Sequence, residues 1–387
     1  RAVVPSPSVW SGQQLALDVV IEALTPSLTH PKIAKIGHNL KYDYVMLARY
    51  GLRVSPLSFD SMIAEWLINP ASRNLGLKRL AWVRLGHEMT EIEVLIGKGK
   101  KQRSMAEVSI NDAASYAADD AMVVLRLMPQ LTEELQAVQE EKLFNDLEMP
   151  LVEVLAGMEM AGIGLDTPYL ARMSVELENR LGEITEQVYQ KVGQPFNLNS
   201  PKQLSEALFD QLGISPPDGS RRTSSGYYST AAGVLESLRD RHPVMSLILE
   251  HRELSKLQST YVEALPQQVN PYTGRVHTSY NQAGSRTGRI ASSEPNLQNI
   301  PIRTELGRRV RGAFIAAPGT VLLAIDYSQV ELRIAAHMAQ DKAMLDAFRS
   351  DQDIHATTAA AINDVPLDKV TRTQRRHAKA INFGLIY

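Results

Sequence analysis

A carboxylate follows one of the most apolar short runs of the sequence. The run Val321 to Ile325 reads VLLAI, and Asp326 comes directly after it. A continuous apolar run of this length predicts a buried strand, which would hold the carboxylate at the edge of a sheet. Carboxylates of this kind bind Mg²⁺ together with the phosphates of a substrate. A structural alternative stays open, in which Asp326 caps the next helix or Ser328 and Glu331 form a capping box.

Two cations and two aromatic rings recur at every fourth position near the end of the sequence. They are Arg375, Lys379, Phe383 and Tyr387. On an α-helix each step of four residues drifts by only about 40°, so the four side chains share one face. A triphosphate would suit the two cations, and a base or sugar could stack on the rings. The alternative is a solvated basic face that turns into a core face.

An arginine-rich stretch surrounds a short segment rich in amide side chains. Only Glu294 and Glu305 oppose its six arginines, which are Arg286, Arg289, Arg303, Arg308, Arg309 and Arg311. Residues 295–301 read PNLQNIP, and the two prolines favour a fixed loop. Arginines pair with phosphates and amides with base edges and sugars, so the stretch predicts a nucleic-acid surface. A solvated run of charges is the alternative.

The composition limits the classes of protein that these residues can serve. The chain has 387 residues, of which 44% are hydrophobic and 22% charged, and its net charge is −2. This length predicts more than one domain, and the near-neutral charge excludes a small polybasic binder. The absence of cysteine excludes disulfide scaffolds and cysteine-ligated metal centres. No apolar run approaches the roughly 18 residues of a membrane span. We therefore expect a soluble, cytoplasmic protein with no membrane partner.

The patterns change along the chain in a way that predicts α/β and α+β domains. Short apolar runs alternate with helical patterns in residues 1–130, helical patterns dominate 131–265, strand and turn patterns follow in 266–340, and 341–387 is helical again. Within these stretches, Phe59 to Leu67 predicts an amphipathic helix and Arg275 to Tyr280 a strand. Ser109 and Asp112 predict a capping box at a helix start.

Three segments, each longer than ten residues, resemble the family A DNA polymerases of the bacterial DNA polymerase I type. DYSQVELRIAAH is similar to the family's motif A, RRHAKAINFGLIY to its motif B on the fingers helix, and TGRIASSEPNLQNIPIR to its template–primer-binding segment. They occur in the family's order, and SKLQSTYVEALP resembles the thumb. The resemblance implies a right-hand polymerase with a thumb and connection at 131–265, a palm portion at 266–340 and the start of the fingers at 341–387.

The resemblance also assigns roles around motifs A and B. It implies that Asp326 and the carbonyl of Tyr327 bind Mg²⁺, with two ions per polymerase site, and that Lys379 gives a proton to the leaving pyrophosphate. It implies that Glu331 crowds the sugar 2′ position and excludes ribonucleotides. Further nucleotide contacts are implied for Arg375, Lys379, Phe383, Tyr387, His355 and Gln329. Contacts to primer–template DNA are implied for Arg289, Gln298, Asn299 and Arg303.

Residues 1–130 resemble part of a DnaQ-like 3′–5′ exonuclease. KIGHNLKYD and YAADDA are similar to its second and third motifs. The resemblance implies that Asp43 and Asp120 bind metal, two Mg²⁺ if the site is complete, and that Tyr116 orients the attacking water. It implies that Asn39 and Tyr42 contact the strand. The first motif, a strand with an Asp-x-Glu pair, is not in the sequence, and Asp120 could instead be a surface residue.

Both ends of the sequence look cut, because it begins with Arg1 and stops at Tyr387 within a helical pattern. Motif C of the family, a His-Asp-Glu hairpin, is not in the sequence. Because Asp326 alone cannot hold two divalent ions, we expect the 387-residue chain to be inactive as a polymerase although its parent is active.

The leading hypothesis is a monomeric, template-directed DNA polymerase of replication and repair, which adds dNTPs to a primer and carries a proofreading domain. One alternative is a DNA-binding module that has lost catalysis. Another is an RNA polymerase of the same superfamily, although Glu331 with Tyr387 favours deoxynucleotides. A third is a polymerase whose proofreading domain is inactive.

Overall fold

The computed structural model describes residues 15–217, 219–302 and 304–386 of the chain. The chain forms two compact units, Arg1–Thr320 and Val321–Tyr387. Within the described residues, no helix is both long enough and apolar enough to cross a bilayer.

The first unit begins with a two-stranded parallel sheet and the helices that cover it. The strands are β1 (Lys35–Gly37) and β2 (Leu57–Asp60), and Gly37 lies opposite Asp60. A parallel pair needs a crossover, which the helix between the strands supplies. The α/β pattern predicted here is confirmed. The helices are α1 (Leu17–Leu28), α2 (Leu40–Ala48), α3 (Ser61–Ile68), α4 (Leu77–Leu85), α5 (Ile92–Ile96) and α6 (Ile110–Ala137), with 3₁₀ turns at Gly99–Lys101 and Met105–Glu107.

Helix α6 forms the back of this first core. Val123, Leu127 and Leu131 recur at spacings of four residues and are fully buried against residues of β2 and α3, as an amphipathic helix requires. Ser109 begins the helix, because its Oγ accepts a hydrogen bond from the Asp112 N–H at 3.1 Å. The predicted cap is confirmed.

The helix predicted over Phe59 to Leu67 starts two residues later than expected. Phe59 and Asp60 belong to β2, where they pair with β1. The Asp60 carboxylate then caps α3 by accepting hydrogen bonds from the N–H groups of Met62 at 2.9 Å and Ile63 at 3.4 Å. Strand pairing and a side-chain cap therefore override the helical periodicity of these two residues.

The middle of the first unit is helical, as predicted. Helix α9 packs against α12, and both bury leucine, isoleucine and methionine side chains in one large core. The elements are α7 (Glu141–Leu143), α8 (Met149–Ala161), α9 (Thr167–Val192), α10 (Pro201–Ser205), α11 (Ala232–Ser237), α12 (Val244–Leu257) and α13 (Ala264–Gln267), with π-helical turns at Phe144–Glu148, Glu206–Gln211 and Gln258–Val262 and a 3₁₀ turn at Arg239–Arg241.

Two small antiparallel sheets complete the first unit. Strand β3 (Ile163–Leu165) lies between β4 (Arg275–Val276) and β7 (Phe314–Ile315), and β5 (Ser279–Asn281) pairs with β6 (Ala291–Ser293). Gly164 lets β7 approach, because a Cβ there would lie 2.8 Å from the carbonyl oxygen of Ile315. The strand predicted over 275–280 is two strands, since β4 and β5 join different sheets. Helix α14 (Glu305–Arg311) lies between β6 and β7.

The second unit consists of helices around a small core. Leu332, Ala347 and Ile354 are buried together, with Met344 and Phe348 packed against them. The helices are α15 (Val330–Ala339), α16 (Lys342–Arg349), α17 (Ile354–Asn363) and α18 (Arg372–Ile386), with a 3₁₀ turn at Leu367–Lys369.

The buried strand predicted at Val321 to Ile325 is wrong for this structure. The segment is irregular, and Val321 and Ile325 are each 85% exposed. A strand that is apolar on both faces needs paired neighbours, and none of the described strands pairs with these residues. The structural alternatives for this segment are also wrong, because Gln329 is the cap residue of α15 and makes no side-chain cap bond.

Candidate functional sites

The first unit contains a cavity of about 1110 Å³ between β1, α2, α4 and α6. It gathers all five functional candidates that the sequence placed in the N-terminal part of the chain. They are Asn39, Tyr42, Asp43, Tyr116 and Asp120. Its volume slightly exceeds the range of ordinary ligand sites, which is about 300–1,000 Å³.

Asp60, which the sequence did not single out, positions the start of α2. Its Oδ1 accepts a hydrogen bond from the Asn39 N–H at 3.0 Å, and its Oδ2 accepts one from the Leu40 N–H at 2.7 Å. These N–H groups open α2, and Asp43 lies in its first turn. The same carboxylate caps α3, so it joins the two helices. The sequence signal for this role is an aspartate directly before a helix. It was missed because the helix was predicted to start at Phe59, which placed Asp60 inside it.

The far side of α2 is tied to the rest of the unit through Lys41. Its ammonium forms an ion pair with Glu159 of α8, and both side chains are 13% exposed. Glu159 also accepts a hydrogen bond from the Tyr280 N–H at 2.7 Å. Helix α2 therefore carries Asp43 on the cavity side and is fixed to α8 and β5 on the other.

Two of the carboxyl groups that line the cavity, those of Asp43 and Asp120, have raised pKa values. The surrounding protein withdraws water from Asp43, which raises the pKa of its carboxyl, and the charges of Asp60 and Asp120 raise it further. Desolvation also raises the pKa of Asp120, while Lys78 opposes that rise. A divalent cation would reverse this balance, because it favours the charged form of a carboxylate.

The donor types of the cavity fit Mg²⁺, but their number is small. Asp43 and Asp120 supply carboxylate oxygens, whereas both oxygens of Asp60 are occupied by backbone N–H groups. In the part of the chain that the structure describes, no group of three or more acidic, histidine or cysteine side chains is arranged to hold a metal ion.

A lysine that the sequence analysis did not identify lies beside Tyr116. Lys78, on α4, has its Nζ 4.5 Å from the centroid of the Tyr116 ring. Both residues line the cavity. The sequence signal was a lysine in the first turn of a helix, where the helix dipole disfavours a positive charge.

In the second unit, α18 presents the predicted stripe of cations and rings. Arg375, Lys379 and Phe383 follow at intervals of four on one continuous helix. The Lys379 Nζ lies 5.7 Å from the centroid of the Phe383 ring. The helical placement of these three residues is confirmed, whereas Tyr387 lies outside the described residues.

Arg375 already has an anionic partner. Its Nε donates a hydrogen bond to Oδ2 of Asp353 at 2.6 Å. Desolvation by itself would raise the pKa of Asp353, but the hydrogen bonds from Arg375 and from the N–H groups of Ala356 and His355 hold it below its ordinary value. A phosphate that binds this guanidinium would share it with Asp353, which faces Nε and one of the two terminal nitrogens.

His355 lies beneath the stripe. It is 2% exposed, its Nδ1 accepts a hydrogen bond from the Asn382 amide at 3.1 Å, and its ring centroid is 5.6 Å from that of Phe383. Burial lowers the pKa of His355, and Arg375 and Lys379 lower it further against the opposing charge of Asp353. Burial and these two cations therefore favour the neutral ring over the charged one, and the role of His355 as a phosphate contact stays a prediction.

The residues of motif A lie on a different part of the second unit. Asp326 and Tyr327 are exposed on the irregular segment before α15. Gln329 follows in a left-handed conformation with φ +53°, and Glu331 lies in the first turn of α15. The pairing of Asp326 with Lys379 across a nucleotide stays a prediction.

The amide-rich loop of the first unit uses part of its polar groups internally. The Gln298 amide donates to the carbonyl oxygen of Ile290 at 2.8 Å, and its Oε1 accepts from the Ser292 N–H at 3.2 Å. The Asn299 carbonyl accepts a hydrogen bond from the Tyr261 hydroxyl at 2.5 Å. Arg289 is exposed, and Arg303 lies outside the described residues. These contacts explain how the loop is held.

Comparison with known families gives two matches along the chain. A model of DNA polymerase family A matches residues 167–387, which is more than half of the chain. A 3′–5′ exonuclease model matches residues 8–136.

Curated relatives match nearly the whole chain. DNA polymerase I of Chloroflexus aurantiacus is 46% identical over 381 residues, which cover 97% of this chain and 40% of the relative. DNA polymerase I of Pseudomonas aeruginosa is 45% identical over 392 residues, which cover 100% of this chain and 43% of the relative. The chain therefore spans about two fifths of the length of these relatives.

A solved structure is similar in fold. It is the POL domain of Pol1 from M. smegmatis in complex with DNA primer–template and dNTP. The match has a TM-score of 0.82 and 34% sequence identity, and it covers 96% of this chain and 61% of that chain.

Proposed function

The chain belongs to DNA polymerase family A and has a 3′–5′ exonuclease domain, and from that premise we propose that its protein extends DNA primers on a template. The observation that carries the proposal is the stripe of Arg375, Lys379 and Phe383 on one face of α18. It places two cations, which suit the phosphates of a nucleoside triphosphate, before an aromatic ring, on which its base or sugar can stack. The substrates are dNTPs and primer–template DNA.

We assign the polymerase chemistry to residues of the second unit. The Asp326 carboxylate and the Tyr327 carbonyl would hold Mg²⁺, which would supply activation of the primer 3′-hydroxyl and neutralisation of the phosphate charge. The 3′-hydroxyl would lose its proton to water as its oxygen forms a bond to the α-phosphorus, and the bond from that phosphorus to the pyrophosphate oxygen would break. Arg375 and Lys379 bind the leaving phosphates, and Lys379 gives its proton to the pyrophosphate.

The other nucleotide contacts select the substrate. Phe383 and Tyr387 stack on the base and sugar, and Glu331 crowds the 2′ position so that ribonucleotides bind poorly. Gln329 and His355 complete the nucleotide site. Because His355 is buried beneath Phe383 in this structure, it reaches a phosphate only after the ring above it moves.

DNA binding belongs to the amide-rich loop of the first unit. Arg289 reads the primer terminus, and Gln298, Asn299 and Arg303 contact the duplex. The internal hydrogen bonds of Gln298 support this role indirectly, since they fix the loop that presents the arginines. On this proposal residues 131–265 form the thumb and connection, 266–340 the palm portion and 341–387 the start of the fingers.

The cavity of the first unit is the proposed nuclease site, within a domain at residues 1–130. Asp43 and Asp120 would hold Mg²⁺, Tyr116 would orient the water that attacks the terminal phosphodiester, and Asn39 and Tyr42 would contact the strand. The convergence of these five residues on one cavity supports the assignment.

One observation favours a second candidate for the 387-residue chain on its own, namely a DNA-binding module without catalysis. The described residues contain no group of three or more side chains arranged for a metal. A two-ion mechanism needs more carboxylate ligands than Asp326 offers.

Substitution of Asp326 in the full-length protein tests the proposal. Asp326→Ala should reduce primer extension by about 10³-fold or more, because a metal ligand is lost, while DNA affinity stays within about twofold. Primer extension and fluorescence anisotropy measure the two quantities. Asp368→Ala, at an exposed aspartate of the same unit, is the matched control. Unchanged extension by the Asp326 variant would refute the assignment.

A further inference from the structure

We propose that Lys78 is a positioning residue that orients the ring of Tyr116 in the cavity of the first unit. The role in strand cleavage rests on the nuclease function proposed above, whereas the contact between the two side chains does not. The ammonium of Lys78 lies 4.5 Å from the centroid of the Tyr116 ring, which is within the range of a cation–π interaction.

The position of Lys78 on its helix is unfavourable for a cation. It is the second residue of α4, which starts at Leu77 after Gly76 and has no acidic side chain in its first turn. Positive charge at a helix N-terminus opposes the helix dipole. The helix dipole makes the ammonium unfavourable at this position, so favourable contacts with its surroundings are needed to offset that interaction.

Three groups from other elements contact the ammonium, and its charge also opposes the rise in the pKa of Asp120. It donates a hydrogen bond to the carbonyl oxygen of Thr90 and lies 3.7 Å from a carboxylate oxygen of Glu91. The third group is the Tyr116 ring on α6. The Lys78 side chain is only 21% exposed, whereas that of Glu91 is 63% exposed. The ammonium is therefore held between the segment before α5 and the tyrosine, not extended into solvent.

The contact matters because, among the described residues, no hydrogen bond to its hydroxyl fixes the orientation of the Tyr116 ring. In the part of the chain that the structure describes, its hydroxyl has no hydrogen-bond partner, and the ring is partly exposed in the wall of the cavity. A tyrosine ring that is held only at its face can be oriented by a cation over that face. The hydroxyl then stays available for a water molecule or a phosphate oxygen.

Neighbouring Arg79 provides a matched control. It is on the same helix and also lines the cavity, but its guanidinium donates a hydrogen bond to the Asn74 side chain at 3.2 Å. Arg79→Met thus removes one positive charge from the same wall without removing the cation over Tyr116.

Tyrosine-selective ¹³C NMR of the 387-residue chain tests the contact directly. The Tyr116 ring signals are assigned by their loss in Tyr116→Phe. We expect Lys78→Met to shift these signals and Lys78→Arg to retain most of the wild-type position, because a guanidinium also binds an aromatic face. Arg79→Met should leave them in place. Unmoved Tyr116 signals in Lys78→Met, or an equal shift in Arg79→Met, would overturn the proposal.

Single-strand cleavage by the full-length protein tests the consequence. Lys78→Met should lower kcat by about two- to fivefold, the range of an exposed cation–π contact, with KM unchanged and with recovery in Lys78→Arg. Loss through KM alone, or no recovery in Lys78→Arg, would contradict a positioning role. If wild-type protein cleaves no single strand, the nuclease function fails, and the NMR shifts still decide whether Lys78 orients Tyr116.

Discussion

The cavity of the first unit and motif A show two ways in which a carboxylate with a proposed catalytic role is placed. Asp43 lies on α2, whose first N–H groups are bound by the buried Asp60 carboxylate. Asp326 lies on an irregular, exposed segment before α15. The first carboxylate is thus positioned by a helix and a cap. The second depends on strand neighbours, which the described residues do not supply.

This difference predicts that, when the 387-residue chain is tested alone, the function proposed for motif A is the one that is lost. The purified 387-residue chain should show no templated primer extension, because among the described residues Asp326 has no paired strand beside it and belongs to no group of three or more metal ligands. The measurement is incorporation of labelled dNTP on a primed template with Mg²⁺. The full-length protein is the positive control, and templated incorporation by the isolated chain would contradict the prediction.

The next largest expected effect tests whether the side chains of α18 are positioned as well as those of the cavity. In the full-length protein, Lys379→Met should lower kcat for extension by about 10²- to 10⁴-fold, the usual contribution of a general acid. The dNTP affinity should fall as well, because a phosphate contact is lost. Single-turnover extension separates the two quantities.

The control for this prediction is Lys342→Met, which removes a lysine from the start of α16 in the same unit. It should leave extension unchanged. If Lys379→Met retained wild-type kcat, the ammonium would serve only as a partner of the Phe383 ring, from which it lies 5.7 Å.

Local signals in the sequence predicted helices in both regions and the stripe of side chains on α18, whereas the grouping of Asp43, Tyr116 and Asp120 followed from the family resemblance. Spacing of four residues placed Arg375, Lys379 and Phe383 on one helix. Nonlocal requirements were missed: whether residues 321–325 form a strand depends on neighbours, and the position of Asp60 depends on a strand pair that crosses 20 residues. Lys78 was missed for the same reason, because its partner Tyr116 is distant in sequence.

The stability of the cavity region should depend strongly on Asp60. Asp60→Ala removes the cap of α3 and leaves the buried N–H group of Leu40 without a partner. We expect the free energy of unfolding of the first unit to fall by about 3 kcal/mol, since a lost cap costs about 1 kcal/mol and an unpaired buried group about 1–3 kcal/mol. Urea denaturation followed by circular dichroism measures this change.

Ser109→Ala is the matched control, because Ser109 caps a single helix at an exposed position. It should cost about 1 kcal/mol. If the two substitutions cost the same, Asp60 would act as an ordinary cap and would not join α2 to α3.

The smallest expected effect is a gain in stability on substitution of Asp43, which is opposite in sign to the loss expected for Asp60→Ala. Desolvation and the charges of Asp60 and Asp120 raise the pKa of Asp43 in the folded chain. The folded state therefore binds its proton more tightly than the unfolded state. The resulting loss of stability is absent below the unfolded pKa and develops fully as the pH rises through the folded pKa.

In the absence of divalent cations, Asp43→Asn should stabilise the first unit at neutral pH and have no such effect in strong acid. Because Asp43 is accessible to solvent, screening limits the gain to a few tenths of a kcal/mol, in about the range of exposed charge interactions. Urea midpoints at acidic and neutral pH give the sign. Added Mg²⁺ should reverse the order at neutral pH, since only the wild-type carboxylate binds the ion. A variant that is less stable than wild type at neutral pH without Mg²⁺ would show that Asp43 supports the fold rather than the chemistry of the cavity.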